Sequence, residues 1–240
     1  MKKIITAGVA GTLIAAGMAA QAGPADSQLE FSSNVALTSD YLFRGISQTD
    51  NGPAIQGGFD LSYGLFYAGV WGSNVDFDDS LELDLYLGFA GTTSGGTNWD
   101  VGAVTYEYPG DGADGAPDSD YQEYYVSLGQ DFGVLSASVS AFYSPDFFAE
   151  SDDALYLAAD VEVPLSEYLA LTLHYGDQSI DDNDAFGTPD YQDWSVGLAT
   201  EMQGFGLSVA WSDTDLDKGD CFGGANICDS TVVVTLSRDM

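Results

Sequence analysis

Apolar and polar residues alternate along this chain with a period of two, in twelve stretches separated by turn-forming residues. That period places successive side chains on opposite faces of a β-strand. The clearest case is "LELDLYLGF", 81–89, with four leucines and Phe89 on one face and Glu82, Asp84 and Tyr86 on the other. The first stretch is predicted to run as one strand over 29–44, with Phe31, Val35, Leu37, Tyr41 and Phe43 on its apolar face. Further strands are predicted at 54–63, 66–74, 98–108, 121–130, 134–143, 154–163, 169–175, 191–200, 205–211 and 231–240. The register of 98–108 is ambiguous and points to a bulge. No stretch carries the 3.6-residue period of a convincing helix.

The connections differ in kind. Those at 64, 131, 164 and 202 are short, and "GTTSGGT" near 91 is longer but uncharged. The connections between them are longer and acidic, as in "DGADGAPDSD" and "SDTDLDKGDCFGGANICD". Segments 76–80, 111–120, 146–153, 177–190 and 213–229 hold 21 acids, and the short turns at 131, 167 and 201 hold three. Short turns on one side and long loops on the other are the pattern of an outer-membrane barrel. Only a closed sheet satisfies every backbone group in lipid. Aromatic residues weighted toward strand ends fit the interfacial girdles of such a barrel. The prediction is an all-β, antiparallel, up-and-down transmembrane β-barrel of twelve strands, with short periplasmic turns and long acidic external loops. A soluble β-sandwich explains the alternation equally well, but neither the loop rhythm nor the placement of the aromatics.

The first 22 residues read differently. Lys2 and Lys3 precede an Ala/Gly-rich apolar run that ends in Ala20-Gln21-Ala22, the layout of a Sec-type signal peptide. The run is too weakly hydrophobic to favour a membrane anchor. The expected division is therefore a signal peptide, 1–22, and one barrel domain, 23–240, exported to the bacterial outer membrane. Beyond residue 22 the only bases are Arg44, Lys218 and Arg238, against 38 acids in the whole chain. Such a charge excludes nucleic acid as a partner. Disorder is rejected because 13% of residues are aromatic.

Cys221 and Cys228 are predicted to form a disulfide, because an exported chain folds in an oxidising compartment. A zinc site would need more ligands than two cysteines and the single histidine, His174. Asp213, Asp215 and Asp217 occupy the first ligand positions of a calcium loop, but Lys218 stands in place of its glycine and Gly224 in place of its glutamate. Only weak divalent-cation binding by several acidic loops is left open. No metal or cofactor site and no catalytic motif is assigned. His174 falls opposite the leucine face of its strand and is expected to be a lumen histidine bonded to a carboxylate. An acid-base or Ser-His dyad there is the alternative.

Parity also selects the lumen side. If Phe31, Val35, Leu37, Tyr41 and Phe43 face lipid, Asp40 and Arg44 face inward at the outer mouth. There Arg44 is expected to pair with carboxylates and hold loop geometry, or to form a constriction. The other predicted pore-lining residues are Asp60, Glu82, Asp84, Glu123, Asp160, Glu162, His174 and Asp193. Such a lumen is acidic with little counter-charge, and acidic rings favour cations.

Residues 33–77, "SNVALTSDYLFRGISQTDNGPAIQGGFDLSYGLFYAGVWGSNVDF", resemble the opening of the TorF family, exported proteobacterial proteins assigned as porins without an agreed substrate. The resemblance extends through "YEYPG" to the terminal "CFGGANICDSTVVVTLSR". It implies an outer-membrane barrel and a pore, and transfers no functional residues. Barrels of this kind usually end in an aromatic residue, whereas this chain ends in Met240. The expected function is passive diffusion of small solutes or ions, with cation selectivity and with membrane lipid and lipopolysaccharide as surroundings. A non-conducting barrel with receptor or adhesive loops is the second reading, and a barrel enzyme the third.

Overall fold

The computed structural model describes residues 28–77, 81–110 and 118–240. The predicted signal peptide, 1–22, lies outside the described residues. The strands are β1 (Leu29–Thr38), β2 (Leu42–Phe43), β3 (Ile46–Ser47), β4 (Ala54–Tyr63), β5 (Phe66–Asn74), β6 (Leu81–Thr92), β7 (Thr97–Glu107), β8 (Tyr121–Asp131), β9 (Ser136–Ser144), β10 (Ala154–Pro164), β11 (Ala170–Ile180), β12 (Tyr191–Met202), β13 (Phe205–Thr214) and β14 (Thr231–Asp239). All except β2 and β3 form one closed antiparallel barrel of twelve strands, each paired with its chain neighbours, and β1 closes the ring against β14. Ser33 and Met240 complete the seam by exchanging both backbone hydrogen bonds, at 2.9 and 2.8 Å.

Period-two alternation becomes an inside and an outside. Phe31, Ile55, Phe59, Leu85, Leu128, Val139, Leu157, Leu198 and Val234 lie exposed on the exterior. Their alternate neighbours are buried in the lumen, among them Gln56, Glu82, Glu123, Gln178 and Asp193. Water-soluble monomers rarely expose so large a contiguous apolar surface, which marks a face that meets protein or membrane. Strands of nine to twelve residues match the span of a bilayer-crossing barrel. Met240 follows the outward parity and is 64% exposed.

Inside, tyrosines lie across the wall onto glycines of the next strand. Tyr67 covers its register partner Gly88, and Tyr125 covers its partner Gly102. A Cβ at either glycine would enter the ring. The two phenols then hydrogen-bond to each other, and Tyr67 Oη also donates to Asp100 Oδ1 at 2.6 Å. Glycines so covered keep their backbone dry and their strands in register.

Four expectations are corrected. The first strand ends at Thr38 rather than 44, and Tyr41 and Phe43 turn into the lumen instead of facing outward. The 98–108 segment contains no bulge, since β7 pairs without a skipped residue on both sides. Strands β11 and β13 run further than predicted and carry Asp177 and Asp213 out of the acidic loops. One helical turn, α1 (Asn183–Phe186), sits in the loop after β11, capped where Asp182 Oδ1 accepts from Ala185 N.

Candidate functional site

Residues 39–53 leave the wall after β1 and fold inward. Strands β2 and β3 pair as a hairpin, Leu42 with Ser47 and Phe43 with Ile46. Arg44 and Gly45 form its two-residue tip at φ 48° and 80°. A turn with both central residues at positive φ matches the twist of a tight hairpin, and glycine suits its second position. Asp40 organises the base. Its Oδ1 accepts from Ser47 Oγ at 2.6 Å and Thr49 Oγ1 at 3.2 Å, and Tyr41 N donates to Thr49 Oγ1. Burial raises the Asp40 carboxyl above its ordinary pKa, against the lowering by those two hydroxyls.

The tip crosses the lumen. A Cβ at Gly45 would lie 2.6 Å from Thr214 Cγ2 and 2.8 Å from Asp193 Cβ, so the tip abuts the wall at β12 and β13, three and two strands round from β1. Arg44 Nη2 donates to both Glu123 oxygens at 2.7 Å, and Nη1 donates to Gln178 Oε1 at 2.7 Å. Glu123 lies on β8, five strands round the wall from β1. The guanidinium also lies over Tyr156 at 4.2 Å, Phe43 at 4.7 Å, Phe142 at 5.5 Å and Phe147 at 5.7 Å. Arg44 and Glu123 are both nearly inaccessible to water.

Above this latch the long loops contribute an aromatic cap. Phe77 packs on Tyr108 and Phe148, Phe186 packs on Phe147 and Phe148, and Phe222 packs on Phe186. The Cys221–Cys228 disulfide is formed, with Cα atoms 6.0 Å apart. It braces the hairpin from the side, since Ile46 packs on the buried cystine and Ser47 N donates to Ile227 O at 2.8 Å. The short-turn half of the lumen is different. Its inward residues are mostly Ser, Gly and Ala, with Asp60, Asp100, Asp160 and Glu162 partly open to solvent.

Residues 21–240 match the model of a family described as bacterial protein of unknown function (Gcw_chp). The chain belongs to the Gcw_chp family. No curated protein matches it. Among solved structures, the KdgM porin is similar at TM-score 0.58 and 7% identity, over 87% of this chain and 97% of the porin. The NanC porin is similar at 0.55 and 11%, over 87% and 98%. An outer membrane channel from Pseudomonas putida F1 is similar at 0.51 and 10%, over 87% and 94%. Likeness at such identities is likeness of fold.

In this Gcw_chp barrel the predicted site residues divide into three groups. Arg44 and Glu123 meet in the latch, and Glu82 and Asp84 are buried nearby: Glu82 accepts from Tyr41 Oη at 2.6 Å and Tyr108 Oη at 2.8 Å. His174 forms a second cluster with Asp160 and Asp193. Its Nδ1 lies 2.7 Å from Asp160 Oδ1, and its Nε2 lies 3.1 Å from Asp193 Oδ1 and 2.9 Å from Tyr156 Oη. The ring partners are two carboxylates and a phenol, not a serine. Asp60 accepts from Tyr86 Oη at 2.5 Å, and Glu162 lies on β10 toward the short-turn end. Asp40 and Arg44, predicted side by side at the mouth, are separated: Asp40 holds the hairpin base and Arg44 the tip. Parity reasoning passed over Asp100, Gln178 and the tyrosines 67, 125 and 156. Two acids of the calcium-like stretch are engaged with backbone: Asp213 Oδ1 accepts from Thr214 N and Asp215 Oδ1 from Gln192 N. Among the described residues no three His, Cys, Asp or Glu side chains converge on a metal-sized site.

Proposed function

We propose that this protein is an outer-membrane pore for small solutes, cation-selective, and shut at its outer mouth in this conformation by the 39–53 hairpin. The observation that carries it is a closed barrel with an apolar exterior and a polar lumen whose described basic side chains, Arg44 and His174, are each bonded to carboxylates. Among the described residues Asp60, Asp84, Asp100 and Glu162 have no ion-pair partner. Twelve strands stand between the filled eight-stranded barrel and the open sixteen-stranded one. Resemblance of residues 33–77 to the TorF porins supports the same reading. Uncompensated carboxylates in a lumen repel anions. The KdgM porin has been solved in complex with disordered oligogalacturonate, a polyanion. This lumen opposes such a solute.

The hairpin fits a gate because its docking is only partly favourable. Asp84 Oδ1, Trp71 Nε1 and Asp40 Oδ2 are buried without a protein partner. Each such group costs about 1–3 kcal/mol, which rehydration returns when the hairpin withdraws. The test is planar-bilayer recording across a potassium chloride gradient. The expected reversal potential has the sign of cation preference, and replacing residues 40–52 by a short Gly/Ser linker raises conductance. A chloride preference refutes the selectivity.

The aromatic cap favours one second reading, a non-conducting barrel that presents its acidic loops as a receptor or adhesive surface. A linker variant that folds but passes no ion decides for that reading.

A further inference from the structure

The Arg44 guanidinium occupies a cage built mostly by the barrel wall. Glu123 comes from β8, Phe142 from β9, Phe147 from the loop that follows, Tyr156 from β10 and Gln178 from β11. Each of these side chains is 5% exposed or less. Only Phe43 belongs to the hairpin. Withdrawal of the hairpin would therefore remove the guanidinium and leave its carboxylate, amide acceptor and ring faces in place. The acceptors and ring faces thus come from four consecutive strands of the wall and the loop after β9. We propose that this cage is a recognition site for solutes carrying a guanidinium group, and that Arg44 holds it as an internal occupant which such a solute displaces.

The geometry selects the class of ligand. Two nitrogens of one group are used at once, Nη2 on Glu123 and Nη1 on Gln178, both at 2.7 Å. A planar fork reaches both acceptors while its face lies on Tyr156. A primary ammonium is a compact point charge and satisfies Glu123 without spanning to Gln178. Access fits as well. The cage lies beneath the end that carries the acidic loops, and like-signed charge around a mouth concentrates the opposite ion there. Binding in the cage does not require conduction; the step from binding to opening rests on the pore proposed above.

The test uses full-length protein folded in detergent. Thermal melting of Arg44→Ala is followed with n-propylguanidinium, with n-propylammonium and sodium chloride at equal concentrations. The expected result is a saturable rise in Tm, at roughly tenfold lower concentration for n-propylguanidinium than for n-propylammonium, because one more hydrogen bond is made. Arg44→Ala/Glu123→Gln should show no such rise. Equal responses to the two ligands, or an equal response of the double variant, overturn the proposal. Wild-type protein provides a second measurement that needs no substitution. There n-propylguanidinium should speed amide exchange in residues 41–49 by competing for the cage, and unchanged exchange overturns displacement. In planar bilayers, protein that binds n-propylguanidinium but passes no ion in any variant keeps the cage and loses the pore.

Discussion

Arg44→Ala should undock the hairpin without unfolding the barrel. In the docked state the substitution leaves Glu123 buried, with Tyr106 Oη at 3.0 Å as its remaining partner. Removing one member of a buried ion pair costs about 3–5 kcal/mol. Withdrawal of the hairpin lets water reach Glu123, so nearly all of that cost falls on the docked state. At 1.4 kcal/mol per factor of ten, the undocked-to-docked ratio should rise roughly a hundred- to a few-thousand-fold. Loss of the contact with Tyr156, 4.2 Å away, acts in the same direction. The assay is amide hydrogen exchange of the detergent-solubilised protein, read by mass spectrometry. When reclosing is fast, exchange of a segment tracks its opening equilibrium. Amides 41–49 should speed by that factor while the ladders of β6 to β12 keep their protection. Arg44→Met/Glu123→Gln removes both charges and should stay near wild type, since replacing a buried pair by uncharged groups is often neutral. Hairpin exchange unchanged in Arg44→Ala, or equally fast in single and double variants, would refute the latch.

Other outcomes follow from the same geometry. Cys221→Ser/Cys228→Ser should speed hairpin exchange less than Arg44→Ala does, because closing this ring contributes about 2.5 kcal/mol and acts on the hairpin indirectly, through Ile46 and the loop carrying Ile227; faster exchange than in Arg44→Ala contradicts the ranking. Gly102→Val drives a side chain into the Tyr125 ring and should lower barrel stability by about 1–3 kcal/mol in urea unfolding, so an unchanged midpoint counts against the packing. Burial raises the Asp40 pKa in the fold, so protonation stabilises the docked hairpin. That stability is fully present below the ordinary aspartate pKa and is lost as pH rises through the folded value. Bilayer conductance should accordingly fall on acidification, and Asp40→Asn should flatten the dependence; the same pH profile in Asp40→Asn would discard this group as the origin.

Much of the wall was legible because a barrel must hide its backbone and show lipid an apolar face at every second residue. "LELDLYLGF" illustrates this: its leucines are outside, and Glu82, Asp84 and Tyr86 are inside. Segment 97–107, "TNWDVGAVTYE", defeated the same rule because Gly102 and Ala103 supply no contrast between faces, and Asp100 was missed with it. Pairings across the lumen were out of reach for another reason. Arg44 and Glu123 are 79 residues apart, and Arg44 and Gln178 are 134 apart, so nothing local links them.

The hairpin is the instructive failure. "TSDYLFRGISQT" continues the alternation of β1, and alternation distinguishes two faces without saying what each face meets. In most of the wall the apolar face lies on the barrel's exterior, whereas Tyr41 and Phe43 meet the packed aromatics of the lumen. Three signals were nevertheless present. A strand over 29–44 has sixteen residues, well beyond the 9–11 that a membrane-crossing strand needs. Arg44-Gly45 places glycine at the second position of a two-residue turn. Ser39, Asp40, Ser47 and Thr49 flank it with the short polar side chains that bond to nearby backbone in tight loops. Length is the strongest of the three. A bilayer fixes how much strand it can hold, so alternation that outlasts the membrane has to turn back, and in a barrel of this width the lumen is where its apolar face can still be buried.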